Sequence, residues 1–93
     1  MKKGLTAVRF AELRDWLHLS QERMARLLNC SFASVNRWER GYMAPTGTLL
    51  EVYRALDLAQ KAGVTASEVL GDQPLSPGAA LHRIFDAAYG GRK

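Results

Sequence analysis

Apolar residues recur along this chain at helical spacing, in short stripes separated by polar punctuation, and no period-two alternation long enough to argue a strand is found. From Thr6 to Leu17, Phe10, Leu13 and Leu17 fall at i, i+3 and i+7, with Thr6 placed to cap the helix and Leu19 carrying the stripe into the following turn. A second helix opens at Ser20, with Glu22 near the positive end of its dipole. Met24, Ala25 and Leu28 share its buried face, while Arg23 and Arg26 point to solvent. In a third helix Val35 and Trp38 face inward, and Ala33, Asn36, Arg37 and Arg40 occupy the opposite, polar and basic face.

The fourth helix, about Thr48 to Lys61, carries Leu49, Leu50, Val52, Tyr53 and Leu56. So broad a face implies burial on two sides, one closing the core and the other free to meet a partner chain. Gly63 breaks the helix, Thr65 or Ser67 starts a short one reaching Leu70, and Gly71-Asp72-Gln73-Pro74 is a turn or linker. Ser76-Pro77 begins the last helix, whose stripe is Ala80, Leu81, Ile84, Phe85 and Ala88, with His82, Arg83 and Asp86 outside. A helix that short must bury its stripe, on its own domain or across a dimer, and the dimer is expected. The Gly90-Gly91-Arg92-Lys93 tail is expected to be disordered. The fold class is therefore all-α, a compact bundle of five to six short helices.

The turn between the second and third helices is set by residue type. Asn29 tolerates a left-handed backbone, and Ser31 can cap the next helix by accepting from backbone N–H groups around Ser34. Gly41 then ends that helix where a residue without Cβ is least strained. Small Ala25 permits close approach of the two helices, and the outer face of the second holds Arg and Asn, the residue types that read base edges. Ser20 to Gly41 thus has the form of a helix-turn-helix.

Leu19-Ser20-Gln21, the Met24-Ala25 pair and Val35-Asn36-Arg37-Trp38-Glu39-Arg40-Gly41, followed by Pro45, resemble the Xre or phage-repressor family, over roughly Phe10 to Leu58. The resemblance implies that Gln21 grips a phosphate and that base contacts come from Phe32, Ala33, Asn36 and Arg37. Ser31, Ser34 and Arg40 complete the implied DNA-binding set. It also implies a buried pair between Arg14 and Glu39, and a loop from Tyr42 to Pro45 lying against the sugar-phosphate backbone. Three positions depart from the pattern: Asn29 for the more usual glycine, His18 where glycine is common, and the large apolar Phe32 at a position often polar. On this basis residues 1–71 are expected to be the DNA-binding domain. Residues 72–93 are expected to be a linker, a C-terminal helix that could serve dimerisation, and a flexible tail.

Composition narrows the picture without changing it. With 93 residues the chain is one small domain, able to bury about 60 to 65 per cent of its unfolded surface. The net charge is +4, and its distribution is uneven: residues 1–46 hold eight Lys or Arg against four acids, whereas residues 47–93 hold five against five. All the excess lies in the motif half, which favours non-specific attraction to phosphates. Lys2 and Lys3 could add a short basic arm on a DNA backbone. Cys30 is the single cysteine, so no intramolecular disulfide can form, and a reducing cytoplasm is expected. His18 and His82 have no partners at ligand spacing, so no metal is expected. Arg9, Glu12 and Arg14 interrupt any signal-peptide core after Met1-Lys2-Lys3, and no transmembrane run is found.

Catalysis is not expected, because there is no glycine-rich phosphate loop, no paired carboxylates in a plausible pocket and no nucleophile signature. No cofactor is expected either. The function expected is a sequence-specific transcriptional regulator, a repressor binding operator DNA as a homodimer through residues 32–40. The alternatives are an antitoxin-type module that holds a toxin-like partner while regulating its operon, and an accessory regulator of a phage or mobile element.

Overall fold

A computed structural model describes residues 5–71 and 77–90 of the chain. The expected Lys2–Lys3 arm, the Gly71–Pro74 linker beyond Gly71, the Ser76 cap and the tail after Gly90 lie outside the described residues.

Six α-helices follow one another: α1 Ala7–Trp16, α2 Gln21–Leu28, α3 Phe32–Arg40, α4 Gly47–Lys61, α5 Ala66–Leu70 and α6 Pro77–Phe85, the last running into a π-helical turn, Asp86–Gly90. No strand occurs among the described residues. Local chemistry sets most of the boundaries. Thr6, Ser20 and Ser31 each accept from a backbone N–H three residues on, at Arg9, Arg23 and Ser34. Of the two starts open for α5, Thr65 is the one used: it accepts from the Glu68 amide while the Glu68 carboxylate accepts from the Thr65 amide, a capping box. Helices α2 and α3 end on Asn29 at φ 57 and Gly41 at φ 81, both left-handed.

The core is built from the expected stripes. Phe10, Leu13 and Leu17 of the first segment meet Met24, Ala25 and Leu28 of α2, Val35 and Trp38 of α3, and Val52, Tyr53 and Leu56 of α4, all buried. Helix α1 packs on α3 and α4, and α2 packs on α3. Tyr53 is the centre of an aromatic cluster, its ring 4.7 Å from Phe10 and 6.0 Å, edge-on, from Trp38. Its hydroxyl is buried without a hydrogen bond among the described residues, and this burial pushes its pKa far above the ordinary phenol range.

The C-terminal helix packs on its own domain: Ala80 and Ile84 are fully buried, Ala88 nearly so, and α6 lies against α2, α4 and α5, with Leu81 and Phe85 of the expected stripe only partly buried. The second side of α4, expected to be free for a partner chain, is thereby covered by the same chain. The broad apolar face of α4 and the stripe of α6 are complementary, and joining them within one chain avoids the entropy cost of association. Sequence could show only that both faces needed cover. Arg83 fastens the arrangement by donating from Nε to the Val69 carbonyl at 3.1 Å and from Nη2 to the Glu68 carbonyl at 2.8 Å, the unpaired end of α5. Gly71 makes room, since a Cβ there would lie 3.1 Å from the guanidinium carbon of Arg83.

Candidate nucleic-acid interface

Helix α3 is held by three polar anchors, and what remains of its surface is the candidate site. The first anchor is its own cap, where the Ser31 hydroxyl accepts from the Ser34 amide at 3.1 Å and donates to the Ser34 hydroxyl at 3.0 Å. Both serine side chains are thus engaged with each other at the helix start.

The second anchor joins α1 to α3. Arg14 Nε donates to Glu39 Oε2 at 2.7 Å and Arg14 Nη2 to Glu39 Oε1 at 2.9 Å, a bidentate pair in which the Glu39 side chain is only 6% exposed. Arg14 Nη1 also donates to the Leu19 carbonyl at 2.8 Å, tying the turn before α2 to the same guanidinium. The hydrogen bond to Glu39 raises the Arg14 pKa above its ordinary value against the opposing effect of burial. At the helix spacing alone the two residues, 25 apart in sequence, could not be put together.

The third anchor joins α2 to α3. Gln21 Nε2 donates to Glu39 Oε1 at 2.9 Å, and Gln21 Oε1 accepts from Asn36 Nδ2 at 3.1 Å. Arg14, Glu39, Gln21 and Asn36 therefore form one continuous polar chain through three helices. This alters the position of Asn36. Expected on the open face of α3, it is half-buried and turned onto α2.

Phe32, Ala33, Arg37 and Arg40 are left exposed. No ion pair or hydrogen bond holds Arg37 among the described residues, and Arg40 meets only the ring of Tyr42, 5.4 Å from its centroid. That cation–π contact was not foreseen, although an aromatic residue just past a helix-ending glycine is a usable signal. Tyr42 and Met43 of the adjoining loop are exposed, while Pro45 is buried. The site thus offers two guanidiniums without an acidic partner among the described residues, an aromatic ring beside one of them and an amide whose second N–H remains available, on one side of α3 and at the start of α2.

Other chemistry is sparse among the described residues. No group of three His, Cys, Asp or Glu side chains is placed to hold a metal, and no helix is long and apolar enough to cross a membrane. Cys30 is half-buried in the α2–α3 turn, and burial raises its thiol pKa, which disfavours the reactive thiolate.

Residues 10–54 match the Helix-turn-helix family, a span running from α1 into α4 and enclosing all four members of the polar chain. No curated protein and no solved structure matches the chain at a significant level.

Proposed function

We propose, from the match of residues 10–54 to the Helix-turn-helix family, that the chain is a DNA-binding regulator of the Xre and Cro-like kind, a repressor that occupies operator DNA as a homodimer. Helix α3 enters the major groove, and α2 crosses the phosphate backbone. The observation that carries this reading is the exposure of Arg37 and Arg40 on the outer face of α3 without any acidic partner among the described residues. A guanidinium held free in that way is available to a guanine edge or a phosphate.

Roles follow from the anchors. Arg37, in the middle of the exposed face, bonds guanine O6 and N7 together. Gln21, fixed by Glu39 and Asn36, turns its second N–H to a phosphate oxygen, which sets register without reading sequence. Asn36 is a positioning residue that orients Gln21. Ser31 and Ser34 support the entry of the helix through their backbone, and Arg40 lies against a phosphate near the Tyr42 loop. Two copies reading inverted half-sites double these contacts and explain how so small a domain selects its site.

Selection of bound sequences from random duplex DNA, followed by sedimentation of the complex, tests the proposal. The expected result is an inverted repeat with half-site centres one helical turn apart, about 10 base pairs, bound by two chains. A single half-site bound by one chain would overturn the dimer, and recovery of no preferred sequence would overturn specific recognition.

A further inference from the structure

The start of α3 has an unusual surface for a helix facing base edges. The Ser31 hydroxyl is spent as donor to the Ser34 hydroxyl and as acceptor from the Ser34 amide, so it cannot bond a base as a donor without opening the cap. Between them stand Phe32, 52% exposed although it is a large apolar side chain, and exposed Ala33. The side chains that project between the two serines are therefore apolar.

Such a surface selects its counterpart by chemistry. Base edges in the major groove are donors and acceptors with one apolar exception, the C5-methyl group of thymine, which 5-methylcytosine shares. A polar edge placed against the Phe32 ring would lose water and gain no partner. A methyl group placed there loses nothing and removes apolar surface from water on both sides. Resting on the DNA-binding reading above, we infer that Phe32, with Ala33 beside it, reads a pyrimidine C5-methyl group in the operator half-site.

Phe32 and Arg37 stand on the same helix, five residues apart, so the methyl-bearing base lies in the same half-site as the guanine bonded by Arg37. The exposed Phe32, at a position where a polar residue would read a hydrogen-bonding edge, makes this chain's half-site methyl-dependent.

The test uses the full chain and its selected operator, with each thymine replaced in turn by deoxyuridine, which removes the methyl and leaves every hydrogen-bonding group. The parent chain should lose about fourfold in affinity at one thymine near the Arg37 guanine, the effect of burying one methyl. Phe32→Ser should bind the thymine and deoxyuridine forms equally, Phe32→Leu should keep part of the preference, and cytosine at that position should gain affinity on C5 methylation. Circular dichroism of each variant shows that α3 is intact. If no deoxyuridine substitution weakens the parent, or if Phe32→Ser keeps the full difference, the inference is overturned while operator recognition stands. If the parent discriminates no duplex from scrambled DNA, the DNA-binding reading falls and takes this inference with it.

Discussion

The arginines of α1 and those of α3 are the same side chain put to opposite uses. Arg9 donates from Nε to Asp57 at 2.8 Å and also bonds Gln60, clamping α1 to α4. Arg14 is bidentate on Glu39. Arg37 and Arg40, less than one domain away, meet no carboxylate among the described residues. A basic residue becomes part of the fold where another helix brings an acid within reach and satisfies its donors. Where none arrives, it remains a hydrated charge on the surface, available to an anion from outside.

The comparison breaks most sharply at Arg14. Arg14→Ala leaves the nearly buried Glu39 carboxylate without its cation and should destabilise the domain by about 3 to 5 kcal/mol. Glu39→Ala should cost less, because the released Arg14 reaches water more easily, but it also frees Gln21. Chemical denaturation of both variants measures this; losses below about 1 kcal/mol would class the pair with exposed ones.

Arg37→Ala should do the reverse. Its stability should change by no more than about 0.5 kcal/mol, while discrimination between operator and scrambled DNA falls by about 1 to 3 kcal/mol. Gln21→Ala should weaken both DNAs alike, with little change in salt dependence because the side chain is neutral. Titration of the two variants and the parent at two salt concentrations separates these outcomes. Equal loss of both DNAs by Arg37→Ala would remove it from base reading.

The clamp at Arg9 sharpens the contrast through pH. Burial alone would raise the Asp57 carboxyl, but hydrogen bonds from Arg9 and Lys61 outweigh it and hold the group below its ordinary value. A folded-state pKa below the unfolded one gives stability that is fully present above the unfolded value, near pH 4, and is lost as pH falls through the folded value. Asp57→Asn should therefore cost about 1 to 2 kcal/mol at neutral pH and flatten the acid limb of the stability curve. Denaturation of both forms across the acid range provides the measurement.

The smallest effect lies in the turn that feeds both regions. His18 adopts φ 60, a left-handed conformation unfavourable to a side chain. His18→Gly should raise stability by up to about 1 kcal/mol, reduced by the greater freedom of glycine in the unfolded chain. A shift in melting temperature without change in DNA affinity would match this.

What the sequence determined by itself was local. Thr6, Ser20 and Ser31 cap helices because a hydroxyl three residues before an unpaired amide needs no distant partner, and Asn29 and Gly41 turn left-handed for reasons of their own backbones. Helical periodicity likewise marked Phe10, Leu13, Met24, Val35, Trp38 and Ile84 as buried, since each stripe is legible within its own helix. The Arg14–Glu39 pair came from family resemblance and not from spacing. Tertiary structure alone decided that Arg9 meets Asp57, that Asn36 turns from the open face onto Gln21, and that α6 packs on α4. In each case a side chain or face had several possible partners far away in sequence. Only the packing of helices, which fixes distances across the core, selected one of them.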